Sequence, residues 1–391
     1  MFMKRPLAIA AIVAAMIYPG IASGQETIKV GNTMPYSGPG SAYSEIGKVM
    51  KAYFDKVNDE GGIKGRKIEF LSYDDGYSPP RTVEQARRLI ERDKVLLLAG
   101  TFGTPHNLAI HRYVNMRKVP HLFIGSTGNA WNDPKNFPWT VGWQPNAHIE
   151  GKVYGSFLAE HHPNEKIAIL MQNDEYGRSF IAGIEEGLGD KVSNIVSRAT
   201  YEATDPTIDN QIINLHKTGA GVLINLSTPK FTAQAIRKVA DLNWHVVHIV
   251  PTAAASASQV MQPAGIENSQ GIITAAYLKD PTDPRWKDEK GMVDFRAFMA
   301  KYAPQANAKS VFSVIGYSMA QATTYVLQQA ADDLTRDNVM KVATNLQGVE
   351  LPLLLPGLHL ENKPDDVAPI KSLQLTRFEG ETWAAFDPAK Q

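Results

Sequence analysis

The strongest constraint on this chain is a regular exchange between two patterns. Short apolar runs alternate with longer stretches whose apolar residues recur at helical spacing, the arrangement that wraps helices around a mostly parallel sheet. Ile28–Gly31, Lys67–Tyr73, Val95–Ala99 and His121–Ile124 read as strands, with helices at Ser44–Glu60, Arg81–Arg92 and Pro105–Arg117 between them. Gly61-Gly62 stops the first helix, and Pro120 follows the third. A second series begins after Pro145. Its strands are Lys166–Gln172, Ile195–Ala199, Gly221–Leu226, His245–Val250 and Gly271–Tyr277. Its helices are His148–Glu160, Ser179–Gly187, Asp205–Lys217, Thr232–Leu242 and Ala255–Met261.

The remainder reverses the order. Trp286–Tyr302, Val311–Ala330 and Arg336–Asn345 read as helices, and Leu373–Phe378 with Thr382–Phe386 as a closing antiparallel pair. Two α/β series with leftover elements predict two lobes, 25–144 plus 278–354 and 145–277 plus 355–391, with a cleft between them. Trp143-Gln144-Pro145, Tyr277–Pro281 and Pro352–Pro356 are the expected crossings.

Met1–Ala22 places Lys4 and Arg5 before the apolar run Leu7–Tyr18 and ends in small residues, the layout of a secretory signal peptide. Cleavage near Gly24 would leave roughly 367 residues, enough for two cores without disulfides. The chain has no cysteine, which removes a lipid anchor and leaves a freely diffusing periplasmic monomer as the expectation. Without Lys4 and Arg5, the 40 basic residues become 38 against 40 acidic ones. That balance favours neither nucleic acid nor an anionic membrane.

Catalytic patterns are missing. No cysteine nucleophile is available, no Gly-x-Ser-x-Gly elbow occurs, and the ten histidines form no metal pattern. Gly38-Pro39-Gly40 is a turn in which Pro39 lacks an amide, so a phosphate cradle is not expected. The reading is therefore a non-enzyme with no cofactor and no metal.

The loops that follow the first-lobe strands are rich in small and hydroxyl residues. Gly100–Thr104 and Gly125–Gly128 each lie at a strand's end, where free backbone amides and Ser or Thr hydroxyls can meet an anion. Helix capping by Thr104 or Thr127 is the competing reading, and Pro105 suits a first helical position. Asp74-Asp75, after a strand, reads as a structural or docking pair, with lining of the cleft mouth as the alternative, and Asp174 as the residue that orients Tyr176.

The motif order resembles the periplasmic solute-binding proteins of ABC transporters, specifically the branched-chain amino acid (Leu/Ile/Val) binding family. The marks are Gly31–Gly40, Asn58–Arg66, Tyr73-Asp74-Asp75, Gly100–Thr104 and Asn173–Gly177. The resemblance implies a type I two-lobed fold that closes over a ligand and presents it to a membrane permease. It carries the carboxylate-binding hydroxyl to Thr104 and the head-gripping backbone and hydroxyl groups to Gly125, Ser126 and Thr127. It carries a ligand-facing aromatic to Tyr43 and the second lobe's aromatic lid to Tyr176. Ser227 and Thr228 follow a buried-looking strand and are expected at the cleft, as is Thr252. Phe102, His106, Trp131 and Trp143 are aromatic or polar surface near the first-lobe loops, or else packing.

One departure sets the expected ligand. Amino-acid binders of that family hold the ammonium with a glutamate in the loop after the second lobe's fourth strand. Here the loop reads Ile249-Val250-Pro251-Thr252-Ala253-Ala254-Ala255, without an acid. A desolvated ammonium lacking a carboxylate is unfavourable. The expected ligand is a carboxylate without an amine, benzoate-like or cinnamate-like. An amino-acid ligand with a displaced acid such as Glu267, or a soluble sensor module, are the alternatives.

Overall fold

The computed structural model describes residues 27–387, and the leader expected at 1–24 lies outside the described residues. The first sheet contains β1 (Ile28–Met34), β2 (Ile68–Asp74), β3 (Leu97–Ala99), β4 (His121–Ile124) and β5 (Thr140–Gly142), all parallel, in the order β2-β1-β3-β4-β5. The connecting helices are α1 (Ser44–Asp59), α2 (Pro79–Arg87) and α3 (Thr104–Met116). β1 is buried on both faces because α1 covers one and α2 with α3 the other: Val30 belongs to one apolar cluster, and the next residue, Gly31, faces Leu98, Val95 and Leu89 of another. β5 is a strand the periodicity does not announce, since three residues are too short to display alternation.

The second series folds as expected. It comprises α4 (Ala147–His161), β6 (Ile167–Gln172), α5 (Glu175–Leu188), β7 (Ile195–Tyr201), α6 (Asp209–His216), β8 (Val222–Leu226), α7 (Pro229–Asp241), β9 (Val247–Ile249), the single turn α8 (Gln262–Ala264) and β10 (Ile273–Ala276). After α9 (Lys290–Tyr302), α10 (Val311–Gln329) and α11 (Arg336–Ala343) come β11 (Gln374–Glu379) and β12 (Thr382–Ala385). These two strands join antiparallel, giving the order β12-β11-β10-β9-β8-β6-β7. Alternation along β6 divides the core: Ile167 and Ile169 face the α4–α5 side, Ala168 and Leu170 the α6–α7 side. Each Ile or Leu so buried contributes about 1.5–3 kcal/mol.

α9, α10 and α11 return to the first sheet, where their apolar faces share its core with α1. The crossings converge: Leu278 bridges Leu354, Leu355 donates its amide to Tyr277 at 3.0 Å, and Trp143 Nε1 donates to the Tyr277 hydroxyl at 3.1 Å.

α4 and α5 meet through glycine. A Cβ on Gly151 would lie 2.5 Å from the Phe180 carbonyl oxygen, on Gly155 2.3 Å from that of Ile184, on Gly183 2.0 Å from that of His148, and on Gly187 2.4 Å from that of Lys152. Two Gly-x-x-x-Gly faces therefore bring the helix backbones together. This seam fixes Glu150, on the first turn of α4, relative to Tyr176, on the first turn of α5.

Candidate functional site

The loops after β3 and β4 form one polar face. Gly103 sits at φ +96°, and a Cβ there would come 2.3 Å from His106 Nδ1, so only glycine fits. Gly103 precedes α3, and Thr104 is the helix's first residue, so the capping alternative for Thr104 falls away. Its hydroxyl instead lies 2.7 Å from Ser126 Oγ, which also accepts the Gly128 amide at 3.0 Å. Thr127 Oγ1 is buried with no hydrogen-bond partner among the described residues, while its carbonyl takes the Ala147 amide at 2.6 Å. Backbone donation departs from expectation here. Gly125 gives its amide to the Thr101 carbonyl at 2.9 Å, which binds the two loops together, and Ser126 gives its own to the Ile124 carbonyl at 2.9 Å within its own turn. The face therefore presents hydroxyls, not the amides of residues 125 and 126.

Aromatic rings cover this face from both sheets. Phe102 packs over Gly125, where a Cβ would sit 2.9 Å from its ring, and Tyr43 lies 4.1 Å from Phe102 between centroids. Tyr77 stacks on Tyr43 at 6.4 Å and tilts against His106 at 4.4 Å. Gly40 makes room for it, since a Cβ there would lie 2.4 Å from the Tyr77 ring. Asp75 accepts the Tyr77 amide and the Thr82 hydroxyl, each at 3.0 Å, which is the structural role expected of it.

The second sheet contributes Tyr176 and Tyr201. Asp174 accepts the Tyr176 amide at 2.9 Å and orients the ring, whose hydroxyl has no partner among the described residues. The Tyr201 hydroxyl donates to Gln172 Oε1 at 3.3 Å and accepts the Thr228 amide at 3.0 Å. Burial raises the Tyr43, Tyr77, Tyr176 and Tyr201 phenols, and the field of neighbouring charges and phenols adds to it. All four stay neutral donors. Tyr77 and Tyr201 escaped sequence reading, although each lies at or just beyond the carboxyl end of a strand, where clefts form in such sheets.

An inter-lobe cavity continues from Tyr43 and Phe102 to Gln144, Thr252, Tyr277 and Phe312. Thr104, Ser126 and Thr127 do not line it themselves; Phe102, bridged to Gly125, joins the two parts. Thr252 reveals the acid that the loop lacks. Its amide donates to Glu150 Oε1 at 2.7 Å and its hydroxyl to Oε2 at 3.0 Å, and Tyr154 adds a third bond at 2.7 Å. Burial pushes the Glu150 carboxyl up to about 7. The expected absence of an acid thus holds along the loop but not in space: α4 supplies one from 102 residues away. Glu267 is exposed on a short turn.

Other candidates fall elsewhere. Ser227 is occupied internally, its hydroxyl donating to Asn225 Oδ1 at 2.6 Å and lying 2.7 Å from Thr232 Oγ1. Thr228 precedes α7 and reaches the aromatic group only through Tyr201. Trp131 packs edge-on against His111, and Trp143 is fully buried among the crossings. His106 is buried against the Tyr77 ring, and burial pushes its imidazole down to about 4. Among the described residues no group of three or more His, Asp or Glu side chains is placed to hold a metal ion, and no helix is long and apolar enough to cross a membrane.

Amide side chains help to join the lobes. Gln259 Nε2 donates to the Ala42 carbonyl at 3.1 Å, and Gln259 Oε1 accepts from Ser310. Asn129 donates to the Ser179 carbonyl at 3.0 Å and accepts the His148 amide at 3.1 Å. Hydrogen bonds thus run between the two sheet units on both sides.

Comparison with known proteins agrees with this architecture. Residues 27–380 match the family described as periplasmic binding protein. The chain is 24% identical over 282 residues to the Leu/Ile/Val-binding protein homolog 7 of Brucella suis, covering 70% of this chain and 69% of that one. A branched-chain amino acid ABC transporter protein from Thermus thermophilus, solved with bound valine, superposes with a TM-score of 0.83 at 14% identity, covering 93% and 96% of the two chains. A fatty acid ABC transporter substrate-binding protein from Thermomonospora curvata gives 0.78 at 17% identity, covering 93% and 94%. The chain belongs to the periplasmic binding proteins, in the group built like the branched-chain amino acid binding proteins.

Proposed function

We propose that this chain captures a small carboxylate in the periplasm and delivers it to the permease of an ABC importer, and that the ligand is an aromatic acid of the benzoate or cinnamate type. The observation that carries this reading is the pairing of buried hydroxyls with buried rings. Thr127 Oγ1 and the Tyr176 hydroxyl have no partner among the described residues, and a carboxylate would satisfy such donors. Tyr43, Phe102 and Tyr77 supply flat apolar surface beside them. A carboxylate is also the chemistry shared by the valine and the fatty acid named for the two fold neighbours.

Glu150 favours a second reading, an amine-bearing acid. Its carboxylate borders the cavity through Thr252 and could receive an ammonium. Three donors already engage it and burial holds its pKa near neutrality, which weakens its pull on a cation. Isothermal titration of the purified protein with benzoate, cinnamate, octanoate, valine and leucine separates the two. Tightest binding of an aromatic acid supports the first, and tightest binding of valine or leucine replaces it with the second. No binding across the panel overturns both.

A further inference from the structure

The inter-lobe cavity has a charged wall that the ligand reading leaves unused. The loop after β10 lines it with Asp280, Asp283, Arg285 and Trp286. Arg285 is already matched, its Nε donating to Asp283 Oδ2 at 2.8 Å and its amide to Asp283 Oδ1 at 2.9 Å. Asp280 is not. The Thr282 amide, at 2.8 Å, and the Thr282 hydroxyl both bond to Oδ1, while Oδ2 accepts no hydrogen bond from the described residues. Lys279, the adjacent cation, turns to Glu289 at 3.0 Å and to the Pro352 carbonyl at 2.7 Å. Asp280 is nevertheless only 8% exposed.

Asp280 lines the cavity, and its Oδ2, which is not one of the fully buried unpaired atoms, is left for water or a ligand to bond. The same carboxylate repels a ligand's own carboxylate, so a bound acid turns its head away from this wall and its tail toward it. We propose that Asp280 is a specificity residue that accepts a hydrogen bond from the ligand's tail, so that the cleft selects a carboxylate bearing a hydroxyl or amino group at its far end. This rests on the carboxylate-capture reading above. Burial pushes the Asp280 carboxyl up to about 6, which agrees with a group short of partners.

The test is titration of the full chain with cinnamate, 4-hydroxycinnamate and 4-methoxycinnamate, on the native protein and on Asp280→Ala. The native protein is expected to bind the hydroxy acid at least about tenfold more tightly than the other two, the range of a hydrogen bond to a charged group. Asp280→Ala is expected to bind all three alike. The methoxy acid fills similar space without a donor, so the native comparison decides the matter even if the variant does not fold. Equal binding of the three by the native protein, or an undiminished preference in Asp280→Ala, overturns the role of Asp280 and leaves carboxylate capture standing. Binding of none of them overturns the aromatic-acid reading together with this one.

Discussion

Gln259, from the turn before α8, donates its side-chain amide to the carbonyl of Ala42, at the threshold of α1, 3.1 Å away. Its other end accepts the hydroxyl of Ser310, which precedes α10. One side chain from the second lobe thus holds the starts of two first-lobe helices. Closure is an equilibrium, so bonds made only in the closed form shift its population. Gln259→Ala should weaken capture of the acid identified by titration by about 1–2 kcal/mol, without contact to that acid. It should also enlarge the radius of gyration measured by small-angle scattering. An unchanged radius and affinity would remove this role from Gln259.

Thr127 offers a cleaner separation of binding from folding. Its buried hydroxyl is unpartnered, so Thr127→Val removes an unsatisfied polar atom at nearly constant volume. Stability in urea should stay within about 0.5 kcal/mol of the native value or rise above it, while affinity for the captured acid falls roughly tenfold. Equal affinity would assign Thr127 to packing.

Glu150 predicts a pH signature. Its carboxyl, raised from 4.5 to about 7 by burial, binds its proton more readily in the folded than in the unfolded chain. Its contribution to stability is therefore fully present below pH 4.5 and is lost as pH rises through 7. The loss is of order 3 kcal/mol. Glu150→Gln imitates the protonated form and lacks this titration. The native Tm minus the Tm of the Glu150→Gln variant, followed by scanning calorimetry, should decline as pH rises from about 4.5 to about 8. A flat difference would contradict the assignment.

Gly183→Ala tests the α4–α5 seam. The added methyl would meet the His148 carbonyl oxygen at 2.0 Å, and backbone cannot yield as a flexible side chain does. Helix propensity favours alanine by about 1 kcal/mol, yet overpacking should dominate and destabilise by roughly 2–3 kcal/mol net in denaturant titration. A neutral result would mean that the two helices can separate without loss.

Most of the scaffold was legible because strand and helix periods alternate from Lys67 to Tyr277, broken only where the short β5 shows no period of its own. The hydroxyl loops were legible for the same reason, since strand ends locate Thr104 and Ser126. Glu150 was not. A glutamate within an amphipathic helix reads as solvated, and nothing in the sequence joins it to Thr252 across 102 residues. A signal existed in its neighbours: Gly151, Tyr154 and Gly155 put small and aromatic residues around it on α4, which marks a buried face. Ser227 misled for the opposite reason. Its strand is buried as expected, but Asn225 and Thr232 lie close enough to consume its hydroxyl.

The glycine contact between α4 and α5 has a mechanical result. With main chain against main chain, the pair offers no compressible layer of side chains, so Glu150 and Tyr176 must swing as one rigid jaw. Any opening is then forced into the crossings around Trp143, Tyr277 and Leu355. Stiffening those three threads would slow release of the cargo even if every atom that touches it were left alone.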